Sequence, residues 1–110
     1  MKILFDQGTP VPLRRAFTGH TVYTAFEMGW SQLENGAILS AAEVEFDVFI
    51  TTDKQLRNQQ SLKFQRLAIL VLPTTSWPKL HPFEKQIVAA VNSLHPGDFV
   101  EFELSGGSEV

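Results

Sequence analysis

Apolar residues in this chain fall into short, nearly unbroken runs, and these runs alternate with stretches of helical spacing. Lys2 to Phe5 (K-I-L-F) leads straight into Asp6, and Val48 to Thr52 (V-F-I-T-T) leads straight into Asp53. Arg66 to Leu72 (R-L-A-I-L-V-L) is the most apolar run and stops at Pro73. Continuous apolar runs of this length are what strands buried on both faces of a parallel sheet look like. Met1–Phe5, Asp47–Thr52 and Arg66–Leu72 are therefore predicted strands, the last of them central. His20–Ala25, with the β-branched Thr21, Val22 and Thr24, is another. In the last predicted strand, Phe99, Glu101 and Glu103 alternate with Val100, Phe102 and Leu104, giving one more polar face.

The intervening segments predict helices. Pro10 and Pro12 suit the start of a helix over Leu13–Phe17, closed by Gly19. Phe26 to Leu33 predicts at most one helical turn around Met28 and Trp30. Asn35 is the expected N-cap of a helix running to Phe46, with Ile38, Ala41, Ala42 and Glu45 spaced for one side. Lys54–Gln60 is either helical or irregular. Trp77–Leu80 reads as a loop, and Pro82 opens a helix whose Phe83, Ile87, Val91 and Leu94 form one apolar stripe, stopped by His95-Pro96-Gly97-Asp98. Strands alternating with helices predict an α/β domain over residues 1–104, with a mainly parallel sheet covered on both faces. Residues 105–110 are expected to form a frayed tail.

Composition narrows the function classes. A hydrophobic fraction of 44% with 19% charged residues is that of an ordinary globular domain. The chain contains no cysteine, which excludes disulfides, thiolate metal sites and cysteine nucleophiles and fits a reducing compartment. No apolar stretch approaches the ~18 residues of a membrane span, and the run after Lys2 is too short for a signal sequence. A soluble cytoplasmic protein with no membrane partner is the expectation. The net charge of −3 disfavours a general nucleic-acid coat. Charge is unevenly distributed, however: Lys54, Arg57, Lys63 and Arg66 fall in a stretch without an acid, directly after Asp53. That stretch is either a solvated surface or a phosphate-facing rim.

Candidate chemistry centres on the two aspartates. In an open α/β sheet, ligands bind beyond the carboxyl ends of the strands, where Asp6 and Asp53 would stand together. Hard oxygen ligands at such an edge suit Mg²⁺ or Mn²⁺ and phosphate chemistry. Thr51 and Thr52 could orient Asp53 or hold a water, and Glu34, Glu43 and Glu45 are candidates for a third acid. Two strand-end aspartates can equally serve as caps or loop hydrogen-bond acceptors. His20, His81 and His95 show no ligand spacing, and Trp30 and Trp77 read as core lids more than as base-stacking platforms. No GxSxG, GxGxxG or P-loop pattern occurs.

The segments ILFDQGTP (Ile3–Pro10), GHTVYTAFEMGW (Gly19–Trp30), ENGAILSAAEVEFDVFITTDKQL (Glu34–Leu56), QQSL (Gln59–Leu62) and VLPTTSWP (Val71–Pro78) occur in that order. Together they resemble the small PIN-like proteins, relatives of the PIN-domain ribonucleases of toxin–antitoxin systems, over about residues 2 to 95. The resemblance implies a Rossmann-like PIN-type α/β/α sandwich and a site that holds Mg²⁺ or Mn²⁺ and hydrolyses RNA. Asp6 matches the first-strand acid and Asp53 the aspartate of the threonine-aspartate motif. Where similar sequences carry Asp-Glu this chain has Asp6-Gln7, and where they carry Asn-Gly-Glu it has Asn35-Gly36-Ala37.

On that resemblance the catalytic set is Asp6, Asp53 and Asn35, the last offering a carbonyl oxygen. Asp6 and Asp53 would hold the metal, with Gln7, Glu34, Glu43 and Thr52 in support and Lys54 and Arg57 steering phosphate. The expected partners are an RNA substrate, an antitoxin protein and a second copy of the chain. The two missing acids leave an alternative, a catalytically impaired PIN-like module that binds protein or nucleic acid. A small phosphotransfer receiver also places aspartates at strand ends, but needs an acidic pair after the first strand and a later lysine, and Gln7 breaks that pair.

Overall fold

The apolar runs that predicted buried strands lie side by side at the centre of one sheet. A computed structural model describes residues 1–58 and 66–104, with the backbone alone described for Asn35, Arg57 and Asn58. The strands are β1 (Lys2–Phe5), β2 (Thr21–Thr24), β3 (Val48–Thr51), β4 (Ala68–Val71) and β5 (Phe99–Glu101). They pair in the order β2-β1-β3-β4-β5, and every pairing is parallel. The fold is a Rossmann-like α/β/α arrangement, as expected.

β3 and β4 are buried along their whole length, which explains their lack of alternation. One face of the sheet presents Ile3, Phe5, Val48, Ile50, Ala68 and Leu70. These pack with Leu13 of a 3₁₀ helix (Val11–Ala16), Leu80 of α2 (Trp77–Leu80), and Ile87 and Val91 of α3 (Glu84–Asn92). The other face presents Leu4, Phe49, Ile69 and Val71 to Ile38, Leu39 and Ala42 of α1 (Asn35–Glu45) and to Phe46. Trp77 packs against the first cluster and Trp30 against the second, where its ring meets Phe46 edge-on at 6.1 Å. Both tryptophans are lids of the core.

Several elements differ from expectation. The segment after Pro10 is a 3₁₀ helix over Val11–Ala16, with Pro10 at its N-cap and Pro12 in its first turn, where the missing N–H groups have no intrahelical partner to lose. Helix α1 starts one residue earlier than its expected cap implies. Glu34 has extended backbone and its carbonyl accepts the first helical bond from Ile38 N–H at 2.9 Å, so Asn35 is already helical and Glu34 holds the N-cap position. The buried side of α1 is Ile38, Leu39 and Ala42, not the side through Ala41 and Glu45. Trp77–Leu80 is a helical turn rather than a loop, because the Ser76 hydroxyl accepts from Lys79 N–H and Pro78 sits in the first turn. β5 is an exposed edge strand of three residues, shorter than predicted, although Phe102 and Leu104 beyond it pack on the core. The expected tail at 105–110, and Gln59–Leu62 with Lys63, lie outside the described residues.

Candidate functional site at the carboxyl edge of the sheet

From β1 the chain crosses to β2 on one side and later to β3 on the other, so the strand order reverses at β1 and β3. Crevices in open α/β sheets form at this switch point, outside the carboxyl ends. Asp6 follows β1 and continues its pairing, its N–H donating to the Ile50 carbonyl at 2.9 Å. Across from it stands Thr51, fully buried on β3. The Thr51 hydroxyl donates to Asp6 Oδ2 at 2.7 Å and accepts from the Asp53 backbone N–H at 3.1 Å. One buried hydroxyl therefore ties the first aspartate to the backbone of the second.

The remaining bonds hold this pair in place. Asp6 Oδ1 accepts from Gln7 N–H at 2.9 Å, and Asp53 Oδ1 accepts from Gln55 N–H at 3.0 Å, at the start of a 3₁₀ helix over Lys54–Asn58. The Thr9 hydroxyl, buried, donates to the Ile50 carbonyl at 2.9 Å and pins the loop after β1 to β3. Gly8 passes so close to Thr52 that a Cβ there would collide with the Thr52 hydroxyl oxygen. Thr52 thus packs on the β1 loop. Gln7 spends its side-chain amide on the Ser31 carbonyl, 3.2 Å away.

Other sequence candidates go elsewhere. Glu43 and Glu45 lie near the far end of α1, which carries them to the amino edge of the sheet. Glu43 accepts from the Leu67 and Arg66 N–H groups at 2.9 and 3.3 Å, just before β4, and Glu45 pairs with Lys2 at 2.7 Å. Neither stands beside Asp6 and Asp53. Arg66 is not part of a phosphate rim either: it pairs with Asp47 at 3.6 Å and donates to the Val44 carbonyl at that same amino edge. Glu34 is exposed at the start of α1. Lys54 is exposed and lines a cleft of about 320 Å³ shared with Glu101 and Glu103, so its charge faces acids as well as solvent. The side chains of Asn35 and Arg57 lie outside the described residues. Among the described residues no group of three His, Asp or Glu side chains comes together to hold a metal.

Sequence reasoning passed over a second part of the same edge. A cleft of about 620 Å³ opens beside Asp6 and Gln7, walled by Arg14, Thr24, Phe26 and Glu27. Thr24 and Glu27 form a reciprocal box: Thr24 N–H donates to Glu27 Oε1 at 3.0 Å, and Glu27 N–H donates to the Thr24 hydroxyl at 3.1 Å. The turn ends with Trp30 N–H on the Ala25 carbonyl and Gly29 N–H on that of Phe26, with Gly29 at φ +77° where a side chain would be strained. Thr-x-x-Glu at Thr24–Glu27 was the legible signal for this turn.

Arg14 Nη2 donates to Glu27 Oε1 at 2.7 Å. The backbone bond from Thr24, and then Arg14, hold the Glu27 carboxyl below its ordinary value of 4.5. A depressed carboxyl stabilises the fold fully above its unfolded value and loses that contribution as pH falls through the folded one. Glu27→Gln should therefore lower the melting temperature at pH 7, with the gap to wild type closing on acidification below about pH 4. Melting curves at pH 7 and pH 3 check this; a gap that widens in acid contradicts it.

Glu43 supplies the matching test at the other edge. Glu43→Ala strips two backbone N–H groups of a charged acceptor and should cost about 1–3 kcal/mol of stability. It should leave any cation binding at Asp6 unchanged, which denaturant melts and Mn²⁺ titration of the same variant will show.

Compared with family models, curated proteins and solved structures, the chain matches none. The strand order is one that doubly wound receivers also use, but β5 ends on Glu101 and is followed by Phe102 and Glu103, without a lysine. No helix among the described residues is long and apolar enough to cross a membrane.

Proposed function

We propose that the carboxyl edge between β1 and β3 binds Mg²⁺ or Mn²⁺ and that the protein is a PIN-like endoribonuclease. The observation that carries this is the Thr51 hydroxyl, which joins Asp6 to the Asp53 backbone at the topological switch point. A magnesium ion keeps several of its waters and needs only one or two protein carboxylates, and Asp6 and Asp53 are the two that this edge supplies. Such an ion, when bound, supplies charge stabilisation and an activated water for phosphodiester hydrolysis. Asp6 and Asp53 contribute its negative ligands, Thr51 fixes the orientation of Asp6, and Thr52 packs against Gly8 to hold the loop. Lys54, exposed next to Asp53, is available to phosphate oxygens. Asn35 joins the set on the strength of the sequence resemblance, as do RNA as substrate, an antitoxin partner and pairing with a second copy; Arg57 joins it from the basic stretch after Asp53, and action in the cytoplasm from the absence of cysteine.

The test is direct. Purified protein incubated with single-stranded RNA should cleave it in Mn²⁺ or Mg²⁺ and not in EDTA. No cleavage with either ion contradicts the proposal.

A second reading is favoured by a specific observation. Both Asp6 oxygens already accept internal hydrogen bonds, Gln7 is turned to Ser31, and Glu43 is committed to the start of β4. An impaired module that binds RNA or protein without cutting would carry these features, and it predicts binding with no cation-dependent cleavage.

A further inference from the structure

We infer that the cleft beside Asp6 is a nucleobase subsite, in which an unstacked base of single-stranded RNA lies on Phe26 and presents its N–H donors to Glu27. The inference rests on the proposed function for the identity of the polymer, and on the cleft itself for the rest.

Phe26 is 76% exposed, more than any other large apolar side chain among the described residues. An exposed phenyl ring on a mobile loop would mean little. Here the Thr24–Glu27 box fixes one end of the turn and the Gly29 closure the other. Phe26 is thus displayed on a built turn at the mouth of a cleft, with Val11, 56% exposed, on the facing 3₁₀ helix. A volume of about 620 Å³ is within the range of small-ligand sites. Aromatic side chains beside a cationic or cation-holding groove are how single strands are gripped, since every base has a face to stack.

The polar groups in the cleft match a base edge. The Thr24 N–H and Arg14 Nη2 both donate to Glu27 Oε1 and not to Oε2. Arg14 Nε is the one buried side-chain polar atom among the described residues that lacks a partner, although the Arg14 side chain as a whole is about one-third exposed. Orphaned donors of this kind mark places where an acceptor is missing. The cleft therefore offers a carboxylate beside the partly exposed Arg14 side chain, whose Nε is itself closed to solvent. Guanine, with adjacent N1–H and N2–H donors and an O6 acceptor on one edge, uses both best. Asp6 and Gln7 line the same cleft, so a base seated there places its own phosphate toward the aspartate pair.

The experiment is amide-detected NMR titration of the full chain with GMP, AMP, CMP and UMP, in EDTA so that no cation is needed. Shifts should gather at residues 24–30 and at Arg14, with GMP binding tightest. Phe26→Ala should weaken GMP at least about tenfold and Phe26→Trp should retain it; Glu27→Gln should erase the preference for GMP. Melting curves confirm that each variant is folded. The inference is overturned if no nucleotide shifts these residues, if Phe26→Ala binds as wild type does, or if UMP binds as tightly as GMP. It is also overturned if the cleft responds only to protein concentration, which assigns it to contact between copies. Mononucleotide binding without RNA cleavage would remove the nuclease chemistry and leave the subsite standing; cleavage insensitive to Phe26→Ala would do the reverse.

Discussion

Asp6→Asn is expected to reduce cation-dependent RNA cleavage by about a hundredfold or more. Loss of a residue that only supports a metal ligand typically costs 10–100-fold in affinity or activity, and Asp6 is placed as a ligand itself. The substitution keeps the size and shape of the side chain while removing its charge and one of its two acceptor oxygens, the one facing the exposed Gln7 N–H or the one facing Thr51. Asparagine keeps an acceptor for the Thr51 hydroxyl, now 2.7 Å from Asp6 Oδ2, so the β1–β3 link and the fold should survive. The measurement is the single-turnover cleavage rate in Mn²⁺, alongside a denaturant melt of the same preparation. Cleavage unchanged in a folded Asp6→Asn variant contradicts the assignment of Asp6.

Phe49→Ala should have the largest effect on stability, about 3–5 kcal/mol. Phe49 is fully buried at the centre of β3 and packs with Leu4, Leu39, Phe46 and Ile69, so no neighbour can be withdrawn without opening the layer between sheet and α1. A domain of this size has about 5–15 kcal/mol in all, so the variant should sit near its unfolding threshold. Urea denaturation checks this. A loss under about 1 kcal/mol would mean that the layer collapses around the gap and that β3 is not the packed centre of the sheet.

The contrast between these two positions shows what a sequence of this kind discloses. K-I-L-F, V-F-I-T and A-I-L-V were readable as buried parallel strands because burial on both faces removes alternation, and all three are central. The aspartates after β1 and β3 were readable as edge residues for the same reason. What was not readable depends on long-range geometry. Glu43 and Arg66 looked like candidates for the site, yet an 11-residue helix spans roughly 16 Å, enough to carry Glu43 from one edge of the sheet to the other. Arg66 is at the amino end of its strand and so meets Asp47 instead of Asp53. The one-residue shift of the α1 cap, from Asn35 to Glu34, turns on where the first helical bond forms, which neighbouring polar residues leave undetermined. The cleft around Phe26 combines parts from the 3₁₀ helix, β1 and the turn after β2, and only folding brings them together.

A divalent cation at the β1–β3 edge would reveal itself through paramagnetic broadening of amide resonances by Mn²⁺. Substoichiometric Mn²⁺ should selectively bleach the signals of residues 6–8 and 51–53, and Mg²⁺ should restore them by competition. Bleaching confined to Glu43, Glu45 and Asp47 at the amino edge, or no selective bleaching at all, would contradict it.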